Sequence, residues 1–150
     1  MTRFGSEILT SDFPDDDGAA IPEVLAALHV HALSKTALTE AGVITALRGT
    51  RLLVPVVARV DAVDERGADK DSHIAAVTFL SQDGRVGLPA FTSLESLSEW
   101  DPNARPIPQK AELVAQSCVQ QGLDGLLIDM ASSHRCALGK AALERLAQQV

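Results

Sequence analysis

The sequence predicts an α/β fold, with α+β as its near neighbour. The expected core is a mixed sheet: an antiparallel three-strand unit plus one or two further strands, flanked by helices. Three observations predict it. Short apolar, β-branched runs at residues 52–60 and 126–128 alternate with stretches of helical periodicity. Asp83-Gly84 joins two strand-like runs in the manner of a hairpin turn, because glycine accepts the positive φ that such turns need. A helical stretch separates the run ending at Phe91 from the run at Leu126, and a crossover of that kind permits parallel pairing.

The elements follow in order. Residues 1–20 have few apolar groups and no period, and they read as a flexible acidic leader; an acidic docking segment around Phe4, Ile8 and Phe13 is the sharper alternative. Residues 21–150 form one domain. Pro22 suits a first helical turn, and Val24, Leu25, Leu28 and Leu33 continue it. Residues 36–48 carry Leu38, Val43, Ile44 and Leu47 at helical spacing, and Gly49 ends the run. Gly42 leaves open a helical hairpin or one interrupted helix.

Residues 52–60 suit a strand covered on both faces, with Pro55 at an edge or bulge. Residues 61–71 read as a charged loop, 73–80 as a second strand and 85–91 as a third. Thr92 and Ser93 compete for the next helix's N-cap, and Thr92-Ser93-Leu94-Glu95 matches a capping box, with Leu94, Leu97 and Trp100 toward the core. Asp101-Pro102 stops that helix, and Pro106 and Pro108 hold the next arm extended. Residues 109–121 are helical, with Leu113, Val114, Ser117 and Cys118 toward the sheet. Residues 126–128 give a buried strand, 135–137 a brief one, and 141–150 the last helix.

Composition narrows the function. Hydrophobic residues make up 46% of the chain, yet its only aromatics are four Phe and Trp100. The core is therefore aliphatic, and a base-stacking surface is disfavoured. The net charge of -7 also disfavours nucleic acid. Residues 1–17 hold five acids against Arg3 alone, so more than half of that charge sits at one end. The longest strongly apolar run has seven residues with a proline inside, against about 20 for a membrane helix. No secretory signal opens the chain, and Cys118 and Cys136 imply no disulfide framework, so the expected location is cytoplasmic.

No phosphate loop, dinucleotide fingerprint, nucleophile elbow or zinc-protease motif is present, so no catalytic residue, metal or cofactor is assigned. Asp61, Asp64, Asp69, Asp71 and His73 lack calcium-loop spacing and read better as a solvated loop. His29 and His31 fall on different faces of one helix and make a poor chelate. His134 and Cys136 would share a strand face, but no third orienting group accompanies them. Cys118 reads as a small core residue. The junction at Phe91-Thr92-Ser93 is the candidate binding point. Free N–H groups at a helix start favour anions, and Arg85 and Arg105 flank it in sequence. The expected site is therefore Arg85, Thr92, Ser93 and Arg105, weighed against plain helix capping at the same residues.

Several strings carry a resemblance. They are Val54-Pro55-Val56-Val57, Asp69-Lys70-Asp71, Val77-Thr78, Asp83-Gly84-Arg85, Leu88-Pro89-Ala90-Phe91-Thr92-Ser93, Trp100-Asp101-Pro102 and Ala104-Arg105-Pro106-Ile107-Pro108. A weaker match runs through Gly125-Leu126-Leu127-Ile128-Asp129. With these the chain resembles the SseB N-terminal domain family in its actinobacterial form, over residues 36–150. Members often carry Asp-Pro where this chain has Asp129-Met130, which leaves the turn after the fourth strand open. The resemblance implies an α/β domain and transfers no catalytic residue. The expected function is a non-enzymatic cytoplasmic binding or interaction module with an unidentified protein partner and a possible homo-oligomeric state. The alternatives are a small-anion or metabolite-binding regulator or enzyme using the helix start near Thr92, and a secretion-associated accessory protein suggested by the family's naming.

Overall fold

The computed structural model describes residues 15–60, 72–76 and 78–148. Within them the order is α1 (Pro22–Leu33), α2 (Ala37–Leu47), β1 (Arg51–Val60), β2 (Ser72–Ala76), β3 (Phe79–Leu80), β4 (Val86–Ala90), α3 (Leu94–Trp100), β5 (Arg105–Lys110), α4 (Ala111–Gln120), β6 (Gly125–Ile128), β7 (Cys136–Gly139) and α5 (Lys140–Ala147). The fold is α/β with two small sheets. One is antiparallel, in the order β2-β1-β5; the other is mixed, in the order β3-β4-β6-β7. They meet at one bridge, where Leu53 and Phe91 exchange both backbone hydrogen bonds at 2.8 Å. The expected parallel pair is β4 with β6, and α3, β5 and α4 form its crossover. The expected leader over 1–14, the loop at 61–71 and the last two residues lie outside the described residues.

Alternation along the strands sorts the core. Leu52 and Val54 of β1, Leu88 and Ala90 of β4, and Leu126 and Ile128 of β6 face one way, into a large aliphatic cluster completed by α1, α2, α4 and α5. Leu53 and Phe91 face the other way and pack with Leu97 of α3, with Trp100 and Met130 at the margin. A run that is apolar on both faces thus has cover on both faces. Trp100 stands edge-on to Phe79 and tilted against Phe91.

The prolines explain the first correction. The arm at Pro106 and Pro108 is not merely extended: it is the strand β5, antiparallel to β1. In this register Pro106 and Pro108 lie opposite Pro55 and Leu53. Leu53 directs its own backbone groups to Phe91, away from β5. By alternation the hydrogen-bonded positions of β5 are Arg105, Ile107 and Gln109, and both prolines point their missing N–H outward from an edge strand. Pro55 falls between the Phe91 bridge and the first pair with β2, where no partner requires its N–H.

Other expectations are corrected by packing. The single second strand divides: residues 72–76 pair with β1, whereas 79–80 pair with β4, because the chain passes from one sheet to the other. Gly42 breaks nothing, and α2 runs through it. Leu33 and Leu38 stand exposed at the corner between α1 and α2, beyond the cover of the sheet. Leu113 and Leu94 are about two-fifths exposed rather than buried. The Leu94 side chain lies against Gly18, whose φ of 80° and lack of a Cβ both matter, since a Cβ there would strike it.

Candidate functional site

β4 and β6 are parallel and end side by side. In open α/β sheets the crevice beyond the carboxyl ends of parallel strands is the favoured place for a ligand. Here β4 runs out into Phe91-Thr92-Ser93 and the start of α3, and β6 runs out into Asp129. A cleft of about 500 Å³ opens at this point, with Thr92, Ser96, Asp129 and His134 in its lining and Glu95 and Glu99 among its other lining groups.

Asp129 is the centre of this arrangement. It is fully buried and has φ 50°, a left-handed conformation that Asp tolerates better than most side chains. Its Oδ1 accepts from Thr92 N–H at 2.8 Å and lies 2.9 Å from the Ser96 hydroxyl. Its Oδ2 accepts from the Thr92 hydroxyl at 2.6 Å and contacts His134 Nε2 at 2.7 Å. A carboxylate has no proton to give, so Nε2 carries the hydrogen of that contact. The backbone around Asp129 is fixed as well: its N–H donates to the Ala90 carbonyl, and its own carbonyl accepts from Ser132 N–H and Oγ. The turn left open by Asp129-Met130 is therefore held by side-chain hydrogen bonds.

A second buried knot lies behind it. Arg51, 5% exposed, donates from Nε and Nη2 to both oxygens of Asp16, from Nη2 to the Ala19 carbonyl, and from Nη1 to the Thr92 carbonyl. One guanidinium thus ties residues 16–19 to the junction between β4 and α3. The Arg51 hydrogen bond holds the Asp16 carboxyl below its usual range, against a smaller opposing effect of burial.

The predicted residues separate. Thr92 and Ser93 both line the cleft. Arg85 does not; it is exposed at the β3–β4 turn, where its Nε donates to Asp83 at 3.0 Å. Hydrogen bonds from Ser81 and then Arg85 lower the Asp83 pKa. Arg105 is exposed on β5 opposite Val56 and is likewise not among the lining residues. The capping box is shifted by one residue. Ser93, not Thr92, is the N-cap, and Ser96, not Glu95, is its reciprocal partner, because the Thr92 hydroxyl is committed to Asp129. His134 and Cys136 do not share a face: His134 sits in the turn on Asp129, while Cys136 is buried at the start of β7. Burial pushes both thiols up to about 11.

Asp129, Arg51, Ser96 and the role of His134 were missed in the sequence. One signal was available for two of them. An ionisable residue directly bordering a fully apolar strand, as Arg51 borders Leu52 and Asp129 follows Ile128, is a candidate for burial with it, and where buried it must find partners there.

A family model described as SseB protein N-terminal domain matches residues 24–145, most of the chain. The chain belongs to that family. Searches of curated proteins and of solved structures gave no significant match. In this SseB domain the match spans both strands that carry the cleft, while the Asp16 half of the Arg51 knot precedes it. Among the described residues no helix is long and apolar enough to cross a membrane.

Proposed function

We propose that this SseB domain is a non-enzymatic binding module that meets its partner at the cleft beyond β4 and β6. The carrying observation is the saturation of Asp129. Its carboxylate holds Thr92, Ser96 and His134 at once, so Asp129 serves as a brace and keeps no free acceptor for a substrate proton. Ser93 and Ser96 are taken up in capping α3, and neither thiol is a thiolate near neutral pH. Rigid, pre-paired walls suit recognition, since little is left to order when a partner arrives.

The charge of the cleft supports a partner that presents a basic group. Glu95 and Glu99 border it, no Lys or Arg lines it among the described residues, and the nearby Arg51 is already paired with Asp16. The anion-site reading built on Arg85, Thr92, Ser93 and Arg105 requires the opposite preference. A thermal-shift panel of phosphate, small carboxylates, amines and short Lys/Arg peptides separates the two. The module reading expects stabilisation by the basic compounds, weakened in a Glu95→Gln, Glu99→Gln double variant. Stabilisation by phosphate that disappears in Arg105→Ala would replace it with the anion reading.

A further inference from the structure

We infer that His29 and His134 form an open two-imidazole site for a borderline divalent transition-metal ion of the Zn²⁺, Ni²⁺ or Cu²⁺ type. Three observations converge. The two ring centroids are 5.0 Å apart, although the residues are more than 100 positions apart in the chain. A metal–nitrogen distance of about 2.1 Å puts a ring centroid about 3.2 Å from the ion, and two imidazoles at a tetrahedral angle then have centroids about 5.2 Å apart. The observed spacing matches that of a chelating pair to within about 0.2 Å, and the 43° tilt keeps the rings from lying flat upon each other. The tautomer is also set. In the neutral His134 ring, the Nε2 hydrogen goes to the buried Asp129 carboxylate and Nδ1 keeps the lone pair. A ligand histidine whose second nitrogen donates to a carboxylate is the usual support for a bound metal, because it fixes the ring and raises its basicity.

The site draws on both a rigid and an adjustable partner. His134 is held by the Asp129 network, whereas His29 is exposed on α1 and free to turn onto an ion. Among the described residues no group of three or more His, Cys, Asp or Glu side chains stands together as a closed cage. Two positions on the protein leave the remainder of the coordination sphere to water or to a group from a partner. Imidazole pairs favour Cu²⁺, Ni²⁺ and Zn²⁺ over Mg²⁺ or Ca²⁺. Sequence spacing concealed this pair, because it set His29 beside His31, which instead is buried and bonded to Thr39.

Calorimetric titration of the untagged full chain, stripped with chelator, tests the assignment with Zn²⁺ and Ni²⁺ as probes. One ion per chain is expected, together with Ni²⁺-induced broadening of amide signals around His29 and His134. His29→Ala, an exposed substitution that leaves the core intact, is expected to weaken uptake by more than about tenfold, and His31→Ala to leave it unchanged. Asp129→Asn is expected to weaken it by about 10–100-fold while the chain remains folded by circular dichroism. Absence of one-to-one uptake, or uptake that His29→Ala leaves intact, would overturn the assignment.

Discussion

Replacing Asp129 by alanine removes the acceptor on which the end of the parallel pair is built. Thr92 is 2% exposed and Asp129 0%, so in the native packing these donors depend on the carboxylate and not on bulk water. The Thr92 N–H and hydroxyl are left bare, and two buried unsatisfied donors cost about 4 kcal/mol together. Ser96 loses less, because its hydroxyl also lies 3.0 Å from the Ser93 carbonyl. His134, 15% exposed, can turn to water. Alanine at φ 50° adds about 1 kcal/mol of backbone strain. The expected loss is about 5 kcal/mol, a large part of the stability of a domain this size. Asparagine behaves differently. It tolerates the left-handed backbone, keeps one oxygen for Thr92 N–H, lets the Thr92 hydroxyl turn to accept, and lets His134 change tautomer. Its expected cost is about 1–2 kcal/mol. Urea unfolding followed by Trp100 fluorescence measures both. An alanine variant within about 1 kcal/mol of wild type, or an asparagine variant as damaged as the alanine one, would refute this reasoning.

Three further outcomes are expected. Asp16, held below 3.8 by Arg51, contributes stability above its unfolded pKa that is lost as pH falls through the lower folded value. Wild type should therefore lose more stability than Asp16→Asn between about pH 5 and pH 3 in acid titrations of the unfolding midpoint. Ser93→Ala should cost about 1 kcal/mol in the same urea assay and Glu95→Gln almost nothing, because Ser96 and not Glu95 completes the cap. Cys118 and Cys136 should resist an aromatic disulfide reagent in the native state and react fully in denaturant, since both are buried with raised pKa values.

What the sequence revealed followed from local rules. Periodicity located α1, α2, α4, β1 and β6, and the Asp83-Gly84 turn located the β3–β4 hairpin, with Gly84 at φ 88°. Local rules failed where a tertiary partner decided the outcome. Pro106 and Pro108 argue against a strand until β5 is known to be an edge, with the missing N–H of each proline directed away from β1. Thr92 is as good an N-cap as Ser93 until Asp129, 37 residues away, claims its hydroxyl. Half of the expected site was a sequence neighbourhood rather than a spatial one. Arg85 and Arg105 flank the helix start along the chain, but one pairs with Asp83 at a turn and the other sits on an exposed edge. Arg51, far from Thr92 in sequence, is the cation that reaches it.

The central claim is that the cleft beyond β4 and β6 is the contact surface of a binding module selective for basic groups. Titration of the ¹⁵N-labelled chain with a Lys/Arg peptide and with phosphate tests it residue by residue. The account predicts saturable shifts at Thr92, Ser93, Glu95, Ser96 and Ser132 with the peptide and none there with phosphate. Shifts induced by phosphate and centred on Arg85 and Arg105, or peptide shifts that spare the cleft, would contradict it.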